Sequence, residues 1–118
     1  MFEYEKAYRQ GEILFFKVKT KPHFYGKENI IKDGAIREGE KEGHIHQVVG
    51  VNGTSGSAQL SLFGDDVKKA DTGVLSVLKA SARVEHPEHK PLNLPKGEYV
   101  VKVQKEATGK NSSQSVKD

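Results

Sequence analysis

Four of the five histidines in this chain fall in two tight doublets, His44/His46 in "EGHIHQVV" and His86/His89 in "VEHPEHKPL". Neutral imidazole is a ligand for zinc, copper, iron or nickel, and it is the side chain that titrates nearest neutrality. Either property becomes chemistry only where several rings meet. Successive strand side chains point to opposite faces, so a strand through the first doublet puts His44, His46 and Val48 on one face and Ile45, Gln47 and Val49 on the other. Positions i and i+2 lie about 6.5–7 Å apart along a strand, close enough for both rings to lean toward one point. Gly39 and Gly43, just before the doublet, permit bending or close backbone approach. Taken alone, such a pair is more often decoration on a sheet face than a site.

The second doublet changes the balance. Pro87 donates no ladder hydrogen bond and restrains His86 toward an extended conformation, so a strand is expected to end at Glu85 or His86. Pro91 and Pro95 stiffen the connection that follows, and Gly97 opens the next strand. His86 and His89 are therefore expected at a strand end and a tight turn, where the backbone is already ordered. Each doublet makes the other more useful, and the two are expected to converge.

The elements that must bring them together read as strands. In "EILFFKVK", Leu14, Phe16 and Val18 fall on one face, with Ile13, Phe15, Lys17 and Lys19 on the other. In "GEYVVKVQKE", Tyr99, Val101 and Val103 oppose Val100, Lys102 and Gln104. "SAQLSLF" and "GVLSVLKASARVEH" alternate similarly and are rich in β-favouring residues. Turn signals stand between them at 32–34, 51–57, 63–66 and 70–73, and "KPHFYGKEN" reads as a surface loop carrying His23. The best helical stretch, "DDVKKAD", is too short for more than one turn. The expected fold is all-β, a small antiparallel barrel or sandwich over residues 1–106, with the polar stretch 107–118 as a flexible tail.

Composition narrows the chemistry. The chain has 118 residues, a size suited to one domain with a modest core, and no cysteine, which excludes disulfides, thiolate metal sites and a cysteine nucleophile. No apolar run approaches the ~18 residues of a membrane span, and "MFEYEKAYRQ" is too charged for a signal peptide. A cytoplasmic location is the expectation. The net charge of +3 is spread among glutamates, which describes a mixed-charge surface and not a nucleic-acid stripe.

"EGEKEGHIHQV" together with "HPEHKPLNLPKGEYVVKVQKE" resembles a group of small uncharacterised bacterial and phage proteins with a GHxH segment and a downstream HPEHxPLxLPxGxYxVxxQxE. The matching positions include Gly43, His44, His46, His86, Pro87, Glu88, His89, Pro95, Gly97, Tyr99 and Gln104. The resemblance places motifs and implies no settled activity. A fainter similarity is to cupins, β-barrels that bind a metal through HxH and a later histidine near a PxG turn. Here no glutamate follows His46 at the cupin spacing, and His86 and His89 precede the PxG, so the cupin metal geometry does not transfer.

Three functions follow from these residues. In the first, His44, His46, His86 and His89 hold a divalent metal (zinc, manganese, iron or nickel), with Glu42, Glu85 or Glu88 as further ligand or as hydrogen-bond partner behind a ligand. Three ligands with an open position would serve hydrolysis of a phosphate-containing substrate, and four would make the ion structural. In the second, the same histidines act without metal as acid and base on a phosphodiester such as RNA or a cyclic oligonucleotide, with Lys90 or Lys41 stabilising charge. In the third, the chain is a non-catalytic module in which Phe24, Tyr25 or Tyr99 and nearby lysines clamp a small-molecule, nucleotide or nucleic-acid ligand, although Tyr99 alternates with valines as a core residue does. No membrane partner is expected, and self-association is left open.

Overall fold

The computed structural model describes residues 2–37, 45–51, 56–67 and 70–104. Within them the chain forms eight strands: β1 Lys6–Gln10, β2 Ile13–Val18, β3 Glu28–Ile30, β4 Ala35–Arg37, β5 Ile45–Val49, β6 Ala58–Phe63, β7 Thr72–Glu85 and β8 Leu92–Val103. No described residue is helical, and every strand pairing is antiparallel. The proposed tail at 107–118 lies outside the described residues.

The spine is the β7–β8 hairpin. One edge of β7 pairs β8 along most of its length, while its other edge pairs β6 in its first half and β5 at its far end. A register shift between Val77 and Ser81 bends β7 between those two partners. The sheet runs β1-β2-β8-β7-β5-β4, with β6 and β3 on the branch from β7. Among the described residues β1 and β4 end this path without pairing each other. The sheet is thus open and folded over its core, which fits a sandwich and not a closed barrel.

Strand alternation accounts for the core. Ile13 and Phe15 of β2, Leu60 and Leu62 of β6, Leu75 and Val84 of β7, and Tyr99, Val101 and Val103 of β8 all bury into one cluster. The opposite face is partly covered as well, because Val18 and Val100 are also buried but lie outside that cluster. Chain segments other than the core therefore shield the outer side of β2 and β8. One expectation needs correction. Pro95 and Gly97 do not precede the last strand but lie within β8, which starts at Leu92. Pro95 stands opposite Ser81, where the ladder is already interrupted, so its missing N–H removes little.

Candidate functional site

β5 and β7 set two of the histidines face to face. Gln47 pairs with Glu85 and Val48 with Val84, so one step further along the ladder His46 meets His86. Directly opposed residues on one face have Cβ atoms about 4.5–5.5 Å apart. Alternation along β5 turns His46 and Val48 inward, and alternation along β7 does the same to Ala82, Val84 and then His86. His46 is 0% exposed and His86 8%, an unusual depth for imidazoles. The turn after Pro87 folds His89, half-buried, back over both.

Three rings thus form one pile. The ring centres of His46 and His86 are 4.3 Å apart, those of His86 and His89 4.7 Å, and those of His46 and His89 6.0 Å with the planes only 17° apart. His86 lies between the other two. Its Nε2 is shielded from solvent.

The hydrogen bonds around the pile fix its protons. Gln10, the buried last residue of β1, donates from Nε2 to the Val84 carbonyl at 2.9 Å and to the Lys90 carbonyl at 2.8 Å. A carbonyl can only accept, so these two bonds orient the amide and leave its oxygen facing His46. His46 Nδ1 lies 2.8 Å from that oxygen and must be the protonated nitrogen, which makes Nε2 the basic one. In His86 the order is reversed. The Glu88 backbone N–H donates to His86 Nδ1 at 3.0 Å, so Nδ1 carries the lone pair and Nε2 the hydrogen. The two neighbouring rings are opposite tautomers.

Gly11 completes the enclosure from the β1–β2 turn. Its φ of +58° suits glycine, and a Cβ there would lie 2.7 Å from His89 Nε2 and 3.3 Å from His46 Cε1. The bare backbone is what lets the turn close against the rings. Arg9 holds the same turn, donating to the Gly11 carbonyl at 2.8 Å and to Gln104 Oε1 at 3.1 Å.

The remaining candidates divide clearly. Glu85 faces away from the rings by strand alternation, and its carboxylate pairs with Arg83 Nε at 3.1 Å. Glu88 serves the site through its backbone N–H, with its side chain at the surface. Lys90 contributes its carbonyl to Gln10 and is exposed beside His89. His44, Glu42 and Lys41 lie outside the described residues. Gln10 and Gly11 were not expected from the sequence, because neither belongs to a motif and only the register brings the β1 end against the histidine turn.

A metal meets a mixed reception here. His46 has the form of a ligand, with Nδ1–H held by an amide oxygen and Nε2 presented as a lone pair. His86 does not, since ligation through Nε2 would place a hydrogen on Nδ1 against the Glu88 N–H. Among the described residues no group of three or more histidine, aspartate or glutamate side chains is arranged to hold a metal ion.

Comparison with known proteins gives one match. The family model "Domain of unknown function (DUF8820)" covers residues 9–104. The chain belongs to this family. The DUF8820 region takes in Gln10, Gly11, His46, His86 and His89, so the whole described cluster lies within it. No curated protein and no solved structure matches the chain.

The aromatic candidates of the binding reading lie elsewhere. Tyr99 is core, as its alternation with valines predicts, and its hydroxyl donates to the Pro95 carbonyl at 2.6 Å. Burial, with the neighbouring Tyr8 adding to it, pushes its pKa from 10.0 up to about 12. Tyr25 is 90% exposed and meets only the edge of His23 at 5.5 Å between ring centres. Phe24 packs against Phe63 and lines a cleft near the start of β7.

Proposed function

We propose that the histidine pile is a metal-independent acid–base site acting on a phosphodiester, with RNA or a cyclic oligonucleotide as the substrate class. The observation that carries this reading is the opposed tautomers of His46 and His86 behind a half-exposed His89. Cleavage through a 2′-hydroxyl needs a proton removed from the attacking oxygen and a proton delivered to the leaving one. His46 is fully buried and does not touch the substrate; its bond to Gln10 fixes the tautomer of the innermost ring behind His89. His86 stays neutral while the Glu88 N–H faces Nδ1, and acts as a fixed hydrogen-bond donor. His89, the half-exposed ring, takes the proton from the attacking 2′-hydroxyl and then delivers it to the leaving oxygen. Lys90 supplies the cation for the phosphate.

The test is cleavage of RNA and cyclic dinucleotides by untagged protein in excess EDTA. The reading expects turnover that survives EDTA and falls by about 10²–10⁴-fold in His89→Gln, with the melting temperature retained. Absence of cleavage, or cleavage unchanged in His89→Gln, would contradict it.

A second reading has its own support in the ligand-like tautomer of His46, which with His44 and His89 would bind zinc, manganese, iron or nickel. It expects metal to copurify with the untagged chain and to be lost in the His44→Ala/His46→Ala double variant. No bound metal, and no melting shift on adding zinc, manganese or nickel, would remove it.

A further inference from the structure

The start of β7 carries a cleft of about 570 Å³ between residues 21–26 and strands β3, β6 and β7. That volume is in the range of small-ligand sites, which combine apolar walls with a few placed polar groups. The walls here are Val74, Ile30 and the rings of Phe24 and Phe63, whose centres are 5.4 Å apart. Ile30 is 69% exposed, so the rim offers apolar surface that the fold itself leaves uncovered.

Beside His23 and Gln59, the polar groups that line the cleft fall into two sets. On one side the Ser61 hydroxyl donates to Glu28 Oε2 at 2.8 Å. On the other, the Ser76 hydroxyl donates to Glu98 Oε1 at 2.6 Å, and the Lys21 ammonium lies 3.5 Å from the same oxygen. Glu28 and Lys21 both line the cleft, one carboxylate and one ammonium. Each retains capacity beyond these contacts: an ammonium has three donors, and a carboxylate about four lone pairs. Ser61 pairs with Val74 and Ser76 with Gln59, so the two serines are diagonal neighbours with backbones about 7–8 Å apart.

The Glu28 carboxylate on one side, and on the other an ammonium that shares Glu98 but keeps further donors, match a zwitterion with apolar substituents. The two ends of a single amino acid are too close together to serve both sides. Two extended residues span about 7 Å. We propose that this cleft binds free dipeptides with apolar side chains, the amino end toward Glu28, the carboxylate toward Lys21, and the side chains against Phe24 and Phe63. The site is independent of the histidine pile at the other end of β7.

The experiment is a titration of the full chain with the dipeptide Leu-Phe, followed by backbone amide chemical shifts and repeated with the same dipeptide acetylated and amidated at its ends. Saturable shifts are expected at Phe24, Ser61 and Val74, with affinity about tenfold weaker for the blocked form. Glu28→Gln should erase the advantage of the free amino end, and Lys21→Met that of the free carboxylate. Both residues are exposed, so each variant should keep its melting temperature. Equal binding of blocked and free peptide, shifts confined to the histidine end, or no saturable shift at millimolar peptide would overturn the proposal.

Discussion

The two ends of β7 hold opposite kinds of interior. Past Glu85 the chain buries polar rings and satisfies them with a network in which one glutamine side chain ties β1, β5, β7 and the hairpin turn together. Beside Val74 and Ser76, roughly 30 Å back along the strand at ~3.3 Å per residue, it leaves an apolar cleft open and places charges on its rim. Buried polar groups are costly unless every partner is present, so the histidine end tolerates little change. The exposed rim of the cleft, above core residues such as Leu60, should tolerate much more.

The sharpest way to break this contrast is Gln10→Leu. It strands the Val84 carbonyl and the His46 Nδ1–H in the interior, at about 1–3 kcal/mol each, and removes the part-buried bond to the Lys90 carbonyl. Thermal unfolding should move down by more than about 10 °C. A shift of only a degree or two would mean that the network carries no weight. Gly11→Ala comes next, at about 1–2 kcal/mol, from its positive φ and from the collision with His89. In a double-mutant cycle His89→Ala should recover the collision and leave the backbone cost, and purely additive effects would argue against contact between them.

Smaller still is the alkaline behaviour of Tyr99. Its folded pKa of about 12 stands above the unfolded 10.0, so the native state holds a proton that the unfolded chain releases. Its contribution is complete below pH 10 and is lost as pH rises toward 12. Denaturant midpoints should fall over that window, and Tyr99→Phe should flatten the fall while costing about 1 kcal/mol at neutral pH through the lost bond to Pro95. The least effect on stability is expected for Phe24→Ala at the cleft, within about 1 kcal/mol, with loss of the dipeptide-induced shifts.

Much of this arrangement is legible in the residues themselves. Alternation alone groups Tyr99, Val101 and Val103 on one face of β8, which is the core face, and separates Ile13 and Phe15 from Leu14 and Phe16 in β2, where only the fold decides which pair is core. It also turns His46 inward with Val48, and Pro87 marks where β7 stops. The strands β3 and β4 escape such a reading because three residues give no periodicity, and β1 because Lys6 and Arg9 put a charge on each of its faces. Gln10 escapes for a related reason. A glutamine at the end of a charged segment looks like surface, and only the antiparallel register of β1 on β2 carries it beneath the histidine turn. Glu85 shows the converse, since proximity in sequence to His86 suggests partnership and a period of two sends it to the other face. Charge placement around the cleft depends on Lys21 and Glu98, distant in sequence and joined only in the fold.

The protonation pattern of the pile is the most direct point of test. Long-range proton–nitrogen correlation spectra of the imidazoles at neutral pH report which ring nitrogen carries hydrogen. The opposed-tautomer account predicts hydrogen on Nδ1 of His46 and on Nε2 of His86. The same tautomer in both rings, or rapid exchange between tautomers in either, would contradict it.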